Sequence, residues 1–324
     1  KLTSVGGGQL SNRNMVINGA MIVSQRGTSA LTWGQGNAYQ IDQFRGRNNG
    51  GEFSMQQVTD APSGTGLYNS LKCQVTSADA SKGNTEYNTV VHYIEAYKFL
   101  PAEYGGSGAK TCTLSFYVKS NVTGTHTGAV GNVGNNRGFG FNYTINSANT
   151  WERKTITIPG STDGTWLTGN NEGMTIWFDL GTGSSFHATA NQWYSGNATG
   201  PSASPFIAVN GATWLVTGVQ LESGNIATSF EHRGMADEIM HCNRYYQKYS
   251  SLTCGYGSAN GYARSTHILS PEMRATPNRT VTIESGQAGS LNSTQGDSKH
   301  LEVTWQSLSG VQTGDFDAIL EAEI

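Results

Sequence analysis

The chain has 324 residues, with 42 glycines, only 7 prolines, a charged fraction of 13% and a formal net charge of −3. Ordinary domains are about 25% charged, and a balance this close to neutral gives no electrostatic basis for holding nucleic acid or an anionic membrane surface. Aromatic residues at 10% exclude a disordered chain, and no run reaches the roughly 18 apolar residues that membrane insertion by a helix needs.

In chain order, residues 1–13 are polar and glycine-rich and read as an N-terminal arm or linker. The run Val5-Gly6-Gly7-Gly8 is not a phosphate loop, since no Lys-Ser/Thr follows it. No signal-peptide pattern is visible, and an opening on Lys1 fits a fragment or the ordered part of a longer fibre. Strands are expected at Met15–Met21, Ile41–Phe44, Phe53–Val58, Tyr68–Val75 and Val90–Ile94, with one helical turn at Glu95–Leu100 before Pro101. Thr111–Ser120, Phe139–Ile145, Glu152–Ile158, Met174–Leu180 and Thr213–Leu221 continue the set, separated by turns rich in Gly, Asn, Ser and Pro. In Thr111–Ser120 the residues Leu114, Phe116 and Val118 alternate onto one face, as in a sandwich core strand.

After Ser223-Gly224-Asn225 the period changes. Met235, Ile239, Met240, Cys242 and Tyr246 recur at helical steps. Asp237 and Glu238 fall in the first turn and Arg244 and Lys248 in the last, as the helix dipole favours. A helix of about 14 residues is therefore expected within 232–249. Beyond it, strand-like pieces at Tyr262–Leu269, Thr280–Ile283, His300–Ser307 and Phe316–Glu321 form a small β-domain over 250–324. The expected fold is all-β: an antiparallel jelly-roll sandwich over 14–231, one short linking α-helix, and a small C-terminal β-domain.

The runs Val219-Gln220-Leu221-Glu222, Phe230-Glu231-His232-Arg233 and Cys242-Asn243-Arg244-Tyr245-Tyr246 resemble a motif block of bacteriophage tail-fibre, tail-spike and capsid-fibre proteins, common in marine and cyanobacterial phages. Asn14–Met21, Lys110–Ser120, Thr150-Trp151-Glu152 through Pro159-Gly160, Gly164-Thr165-Trp166, Met273–Pro277 and the terminal Glu321–Ile324 fit the same pattern. Ser229, Tyr117 and Asn243 depart from it, where proline, tryptophan and glutamine are usual. The resemblance implies a virion location, a homotrimer, and contact with other virion proteins through the N-terminal arm. It names no catalytic residue.

Candidate chemistry is sparse. Carboxylates that could form a glycosidase pair are numerous (Asp42, Glu52, Asp60, Glu86, Glu95, Glu103, Asp163, Glu172 and Asp179), but no two make a recognisable constellation. No Gly-x-Ser-x-Gly elbow occurs on a strand-to-helix turn. The polar loop Phe186–Asn197 holds adjacent Trp193 and Tyr194, with Asn197 following. Aromatic faces beside short polar side chains suit a bacterial surface polysaccharide; the alternative is that Trp193 plugs the sandwich edge. Trp151, Trp166, Trp177 and Trp214 read as core. Met235, Ile239, Met240 and Tyr246 are the candidate oligomer or domain-packing residues, because an isolated helix this short is marginal without a partner.

No cofactor and no metal set are assigned, although a structural calcium on loop oxygens is compatible with such sandwiches. The cysteines, Cys73, Cys112, Cys242 and Cys254, match no zinc spacing. Buried thiols are expected of a protein assembled in a reducing cytosol, with a Cys242–Cys254 bridge as the alternative. The expected function is receptor attachment without catalysis; the rivals are a purely structural capsid or tail protein and a polysaccharide depolymerase.

Overall fold

The computed structural model describes residues 12–134, 136–256, 262–283, 289–307 and 312–324. The chain divides into two compact units, one ending at Met235 and the other running Ala236–Ile324. Most of the 1–13 arm, including the glycine run, lies outside the described residues.

The first unit is a sandwich of β1 (Gly36–Ile41), β2 (Phe44–Asn49), β3 (Glu52–Val58), β4 (Ser70–Ser77), β5 (Tyr87–Glu95), β6 (Cys112–Ser120), β7 (Gly124–Gly131), β8 (Gly138–Ile145), β9 (Glu152–Ile158), β10 (Glu172–Thr182), β11 (Trp193–Tyr194) and β12 (Thr213–Ser223). The one-turn helix α1 (Ala96–Phe99) follows β5. One sheet has seven strands in the order β1-β2-β5-β10-β7-β8-β11, the other five in the order β3-β4-β12-β6-β9. All the named strand pairs in both are antiparallel. This is the antiparallel jelly-roll sandwich that the alternation predicts.

The core forms because each strand turns alternate side chains inward. Leu114, Phe116 and Val118 of β6 meet Ile176, Phe178 and Leu180 of β10, all fully buried. Phe116 and Phe178 close the two sheets edge to face, with centroids 5.1 Å apart. Fully burying a side chain of this size contributes about 1.5–3 kcal/mol. Cys73 and Cys112 are buried free thiols, and burial pushes the Cys112 thiol up to about 11. Cys242 is buried, and the Cys254 side chain lies outside the described residues.

Two local readings are corrected. Met15–Met21 is not a strand, although its apolar side chains are buried, because Asn18 and Met21 take positive φ values of 57° and 58°. The segment bends across β12 instead: Met15 N–H donates to Leu221 O at 2.9 Å and Val219 N–H to Gly19 O at 3.0 Å. Gly19 is required there, since a Cβ would stand 2.1 Å from the Val219 carbonyl oxygen. Ile41–Phe44 is the turn joining β1 to β2, with Gln43 at φ 73°.

The motif block closes the sandwich. Gln220, fully buried on β12, donates from Nε2 to Glu222 Oε1 at 2.8 Å and to Thr228 Oγ1 at 3.1 Å. The Thr228 hydroxyl donates to Glu222 Oε2 at 2.8 Å. Glu231 Oε2 accepts the Asn14 N–H at 2.8 Å, and Arg233 donates to the carbonyl oxygens of Val16, at 3.0 Å, and of Asn14. The chain's entry and exit segments are thus tied together beside β12. His232 meets the Thr65 carbonyl at 3.0 Å through Nε2, pinning the path just before the helix.

In the second unit, β13 (Tyr246–Tyr256), β18 (Gln312–Glu321) and β15 (Asn278–Ile283) form one three-stranded sheet. The strands β14 (Tyr262–Ile268), β17 (His300–Ser307) and β16 (Gly289–Gly296) form another. Leu301, Val303, Trp305, Phe316, Ala318 and Leu320 make its core. The helix α2 spans Met235–Asn243, nine residues rather than about 14. It stops where the chain turns into β13, which Tyr246 opens; Tyr245 and Tyr246 are both buried. Arg244 and Tyr245 offer their carbonyls to the N–H groups of Arg274, at 2.8 Å, and Ala322, at 2.7 Å. Tyr246 is thus buried at the start of β13, whereas Met235, Ile239 and Met240 are 53%, 37% and 53% exposed.

Candidate ligand-binding face

The same alternation that fills the core gives the seven-stranded sheet a second face. On β2, Phe44 points inward and Arg45 and Arg47 outward; on β5, Val90 and Ile94 point inward and Thr89, Val91 and Tyr93 outward. On β10, Ile176 and Phe178 face the core, so Thr175, Trp177 and Asp179 face away.

Antiparallel register lines these outward residues into rows. One row runs Tyr39, Arg45, Val91, Trp177, Ala129, Gly140 across β1, β2, β5, β10, β7 and β8. The next runs Tyr93, Thr175, Gly131, Gly138, Tyr194 across β5, β10, β7, β8 and β11. Neighbouring strands lie about 4.8 Å apart, so Tyr93 and Tyr194 stand roughly 19 Å apart across the face.

Between Thr175 and Tyr194 the floor is glycine, Gly131 and Gly138, and that allows rings to lie on the sheet. A Cβ on Gly131 would come within 3.1 Å of the Trp177 ring, and one on Gly138 within 2.4 Å of Tyr194 Oη. Trp177, Val91 and Ala129 form an apolar cluster separate from the main core, with Tyr93 packed against it. Tyr194 Oη donates to the Ala198 carbonyl at 2.8 Å, and burial raises its pKa.

Cations border this surface. Arg47 stacks on the Tyr87 ring at 4.4 Å; Arg45 lies 6.0 Å from the Tyr93 ring centroid and donates to Tyr93 Oη at 3.3 Å. Each such contact contributes about 0.5–1 kcal/mol where solvent reaches it. At the far end of β10, Asp179 is fully buried, and burial pushes its pKa up to about 7 despite donors from Thr182, Ser204, Gly181 and Thr199. The segment after β10 covers that end: Thr127 donates to the Ser202 carbonyl at 2.7 Å and accepts nothing from solvent there, being fully buried. At the near end Glu172 accepts the Thr175 hydroxyl, and burial raises its pKa too.

The structure separates the residues that the sequence placed in one loop. In the two-residue strand β11, Trp193 turns inward and Tyr194 outward. Trp193 packs on the core beside Phe139 at 5.4 Å, Tyr104 at 5.8 Å and Trp166 at 6.2 Å, and its indole donates to the Pro159 carbonyl at 3.0 Å. Tyr194 joins the outer face, and Asn197 is exposed in the following turn. Trp214 is core, whereas Trp177 is buried on the opposite side of its sheet from the core cluster. The residues that sequence reasoning did not select are Tyr93, Arg45 and Arg47. Among the described residues no cluster of three or more His, Cys, Asp or Glu could hold a metal ion.

No family model and no curated protein matches the chain. Among solved structures, the enzymatically active domain of bacteriophage CBA120 tailspike protein 4 is similar at 12% identity and TM-score 0.34, over 68% of this chain and 23% of that one. The chain thus matches under a quarter of that tailspike's length. A CBM4 protein is similar at 15% identity and TM-score 0.32, over 64% and 99% of the two chains. The family 11 carbohydrate-binding module of a Clostridium thermocellum cellulosomal cellulase is similar at 16% identity and TM-score 0.29, over 64% and 99%. At such TM-scores these are partial superpositions.

Proposed function

We propose that this chain is a non-catalytic subunit of a phage fibre or spike that attaches the particle to a bacterial surface glycan through the outer face of its seven-stranded sheet. The observation that carries the proposal is the row from Tyr93 to Tyr194 with Trp177 lying over its glycine floor. Flat rings offer stacking surface to the apolar faces of pyranoses, and the two arginines offer polar contacts around them. The virion setting is supported by the motif block.

The absence of catalysis is supported by the placement of the perturbed carboxylates. On this face they are Glu172 and Asp179, whose pKa values burial raises. They lie at opposite ends of β10, which puts them on the order of 20 Å apart along the strand. A glycosidase pair needs about 5–10 Å. A homotrimer fits the exposed Met235, Ile239 and Met240 of α2, which a threefold assembly would cover. Weak single sites then act together through raised effective concentration.

A glycan array probed with the purified chain tests the proposal, with Tyr93→Ala as the control on the same face. Binding by the wild type that the variant loses, at unchanged polysaccharide length, is the expected result. An array with no binder overturns it in favour of a purely structural virion protein, and binding indifferent to Tyr93 overturns the assignment of this face.

A further inference from the structure

Resting on that proposal, we infer that the glycan is acidic: a carboxylate-bearing polysaccharide whose charges meet Arg45 and Arg47. The register of β2 forces these two arginines onto one face, two residues apart, at the edge of the aromatic row. Neighbouring arginines repel one another, and several other basic side chains in this unit are answered by acids. Arg26 pairs with Asp42 at 3.6 Å, Lys82 with Asp79 at 3.3 Å, Arg137 with Asp163 at 3.3 Å and Lys154 with Glu152 at 2.6 Å.

Arg45 and Arg47 have no such partner among the described residues. Their ring contacts are with Tyr93 and Tyr87, and the Nε atom of each is buried without a hydrogen-bond acceptor. The acids of the same face are otherwise engaged. Asp179 accepts from two hydroxyls and two backbone N–H groups, and Glu172 accepts from Thr175. A guanidinium held against a tyrosine ring keeps its planar fork presented in one orientation, and that fork matches a carboxylate bidentately. Stacking on Tyr93 and Tyr194 accounts for affinity toward sugar rings in general; the two arginines select among sugars by charge.

The test uses the full chain and three acidic polysaccharides, polygalacturonate, alginate and hyaluronan, each beside its carboxyl-reduced form. Reduction converts the carboxylate to an alcohol and leaves the backbone unchanged. At least one acidic form should bind about tenfold or more tighter than its reduced counterpart, corresponding to one good charge-assisted contact. That preference should shrink as salt is raised from 50 to 500 mM, since the charges are near the surface. Arg45→Gln with Arg47→Gln should erase the preference, and the lysine pair should restore part of it. Equal binding of acidic and reduced forms by the wild type overturns the inference and leaves glycan attachment standing. Binding to neither form of any of the three, with none on the array, overturns both. The wild-type comparison needs no variant, so a variant that fails to fold does not rescue the inference.

Discussion

The side-chain oxygen of Gln220 accepts the backbone N–H of Glu231 at 2.8 Å, joining the last strand of the sandwich to the chain that leaves it. Gln220 is fully buried and uses its amide nitrogen on Glu222, Thr228 and the Ser229 carbonyl as well. The most recognisable stretch of the sequence is thus structural. It latches the sandwich on β12 of the five-stranded sheet, away from the aromatic face.

Gln220→Ala should therefore destabilise the chain without touching the ligand. It leaves the Glu231 N–H and the Glu222 carboxylate short of a partner, and an unsatisfied buried polar group costs about 1–3 kcal/mol. Urea unfolding followed by tryptophan fluorescence should show that loss, with glycan affinity unchanged. Unaltered stability would show that water replaces the amide without cost.

The two halves of the Trp193-Tyr194 pair should behave differently. Trp193→Ala removes a ring seated among Phe139, Tyr104 and Trp166 and should cost on the order of 3 kcal/mol, read as a fall in Tm. Tyr194→Ala should weaken glycan binding more than it lowers Tm. A Trp193 variant with wild-type Tm and impaired binding would place that ring in the site instead.

Much of this architecture is legible in the sequence, and the gaps have physical causes. Strands such as Glu152–Ile158 and His300–Ser307 show the alternation of one buried face and are read at their observed bounds. β7, GTHTGAVG, escapes that reading because its outward residues at 129 and 131 are Ala and Gly and its centre is polar. Those small residues are what Trp177 lies over. Trp177 itself reads as core because Ile176 and Phe178 flank it, and a strand apolar on both faces has no period to betray which side is outward. Tyr93 and Arg45 become neighbours only through the β2–β5 register, which nothing local in either strand announces. The helix reading over-extends because Tyr246 stands at a helical step from Cys242 yet is the first residue of the strand β13.

Gly138→Ala tests the glycine floor directly. Its Cβ would meet the Tyr194 ring at 2.4–2.9 Å, so the ring must lift off the sheet. Glycan affinity should fall several-fold while the unfolding midpoint moves little, because a side chain can give way where a backbone cannot. Titration calorimetry against the best array ligand gives the answer; full affinity in the variant would show that the ring's flat seat is irrelevant to binding.

Light scattering at micromolar concentration should report a trimer. Changing Met235, Ile239 and Met240 together to Ser should shift it toward monomer, since these exposed apolar side chains have no role within the chain's own core. A wild-type monomer would count against the assembly.

Asp179 gives the sandwich a pH dependence of defined sign. Its carboxyl is fully buried, with Oδ1 accepting from the N–H groups of Gly181 at 2.6 Å and Ser204 at 3.2 Å, and Oδ2 from the hydroxyls of Thr182 and Thr199. Burial pushes its pKa from an ordinary 3.8 to about 7, and these donors offset only part of the shift. Between those two values the folded chain keeps a proton that the unfolded chain has released. Raising the pH through that window therefore favours unfolding, and the contribution is flat above it. The stabilisation is complete below pH 3.8 and is lost by about pH 7, an effect on the order of a few kcal/mol. Asp179→Asn keeps a carbonyl oxygen for the two N–H groups and carries no charge, so it should remove the dependence. The stability of the variant relative to wild type should rise steadily between pH 4 and 7 in urea melts and then level off. A difference that stays constant across that range would show that the carboxyl ionises in the folded chain as freely as in water.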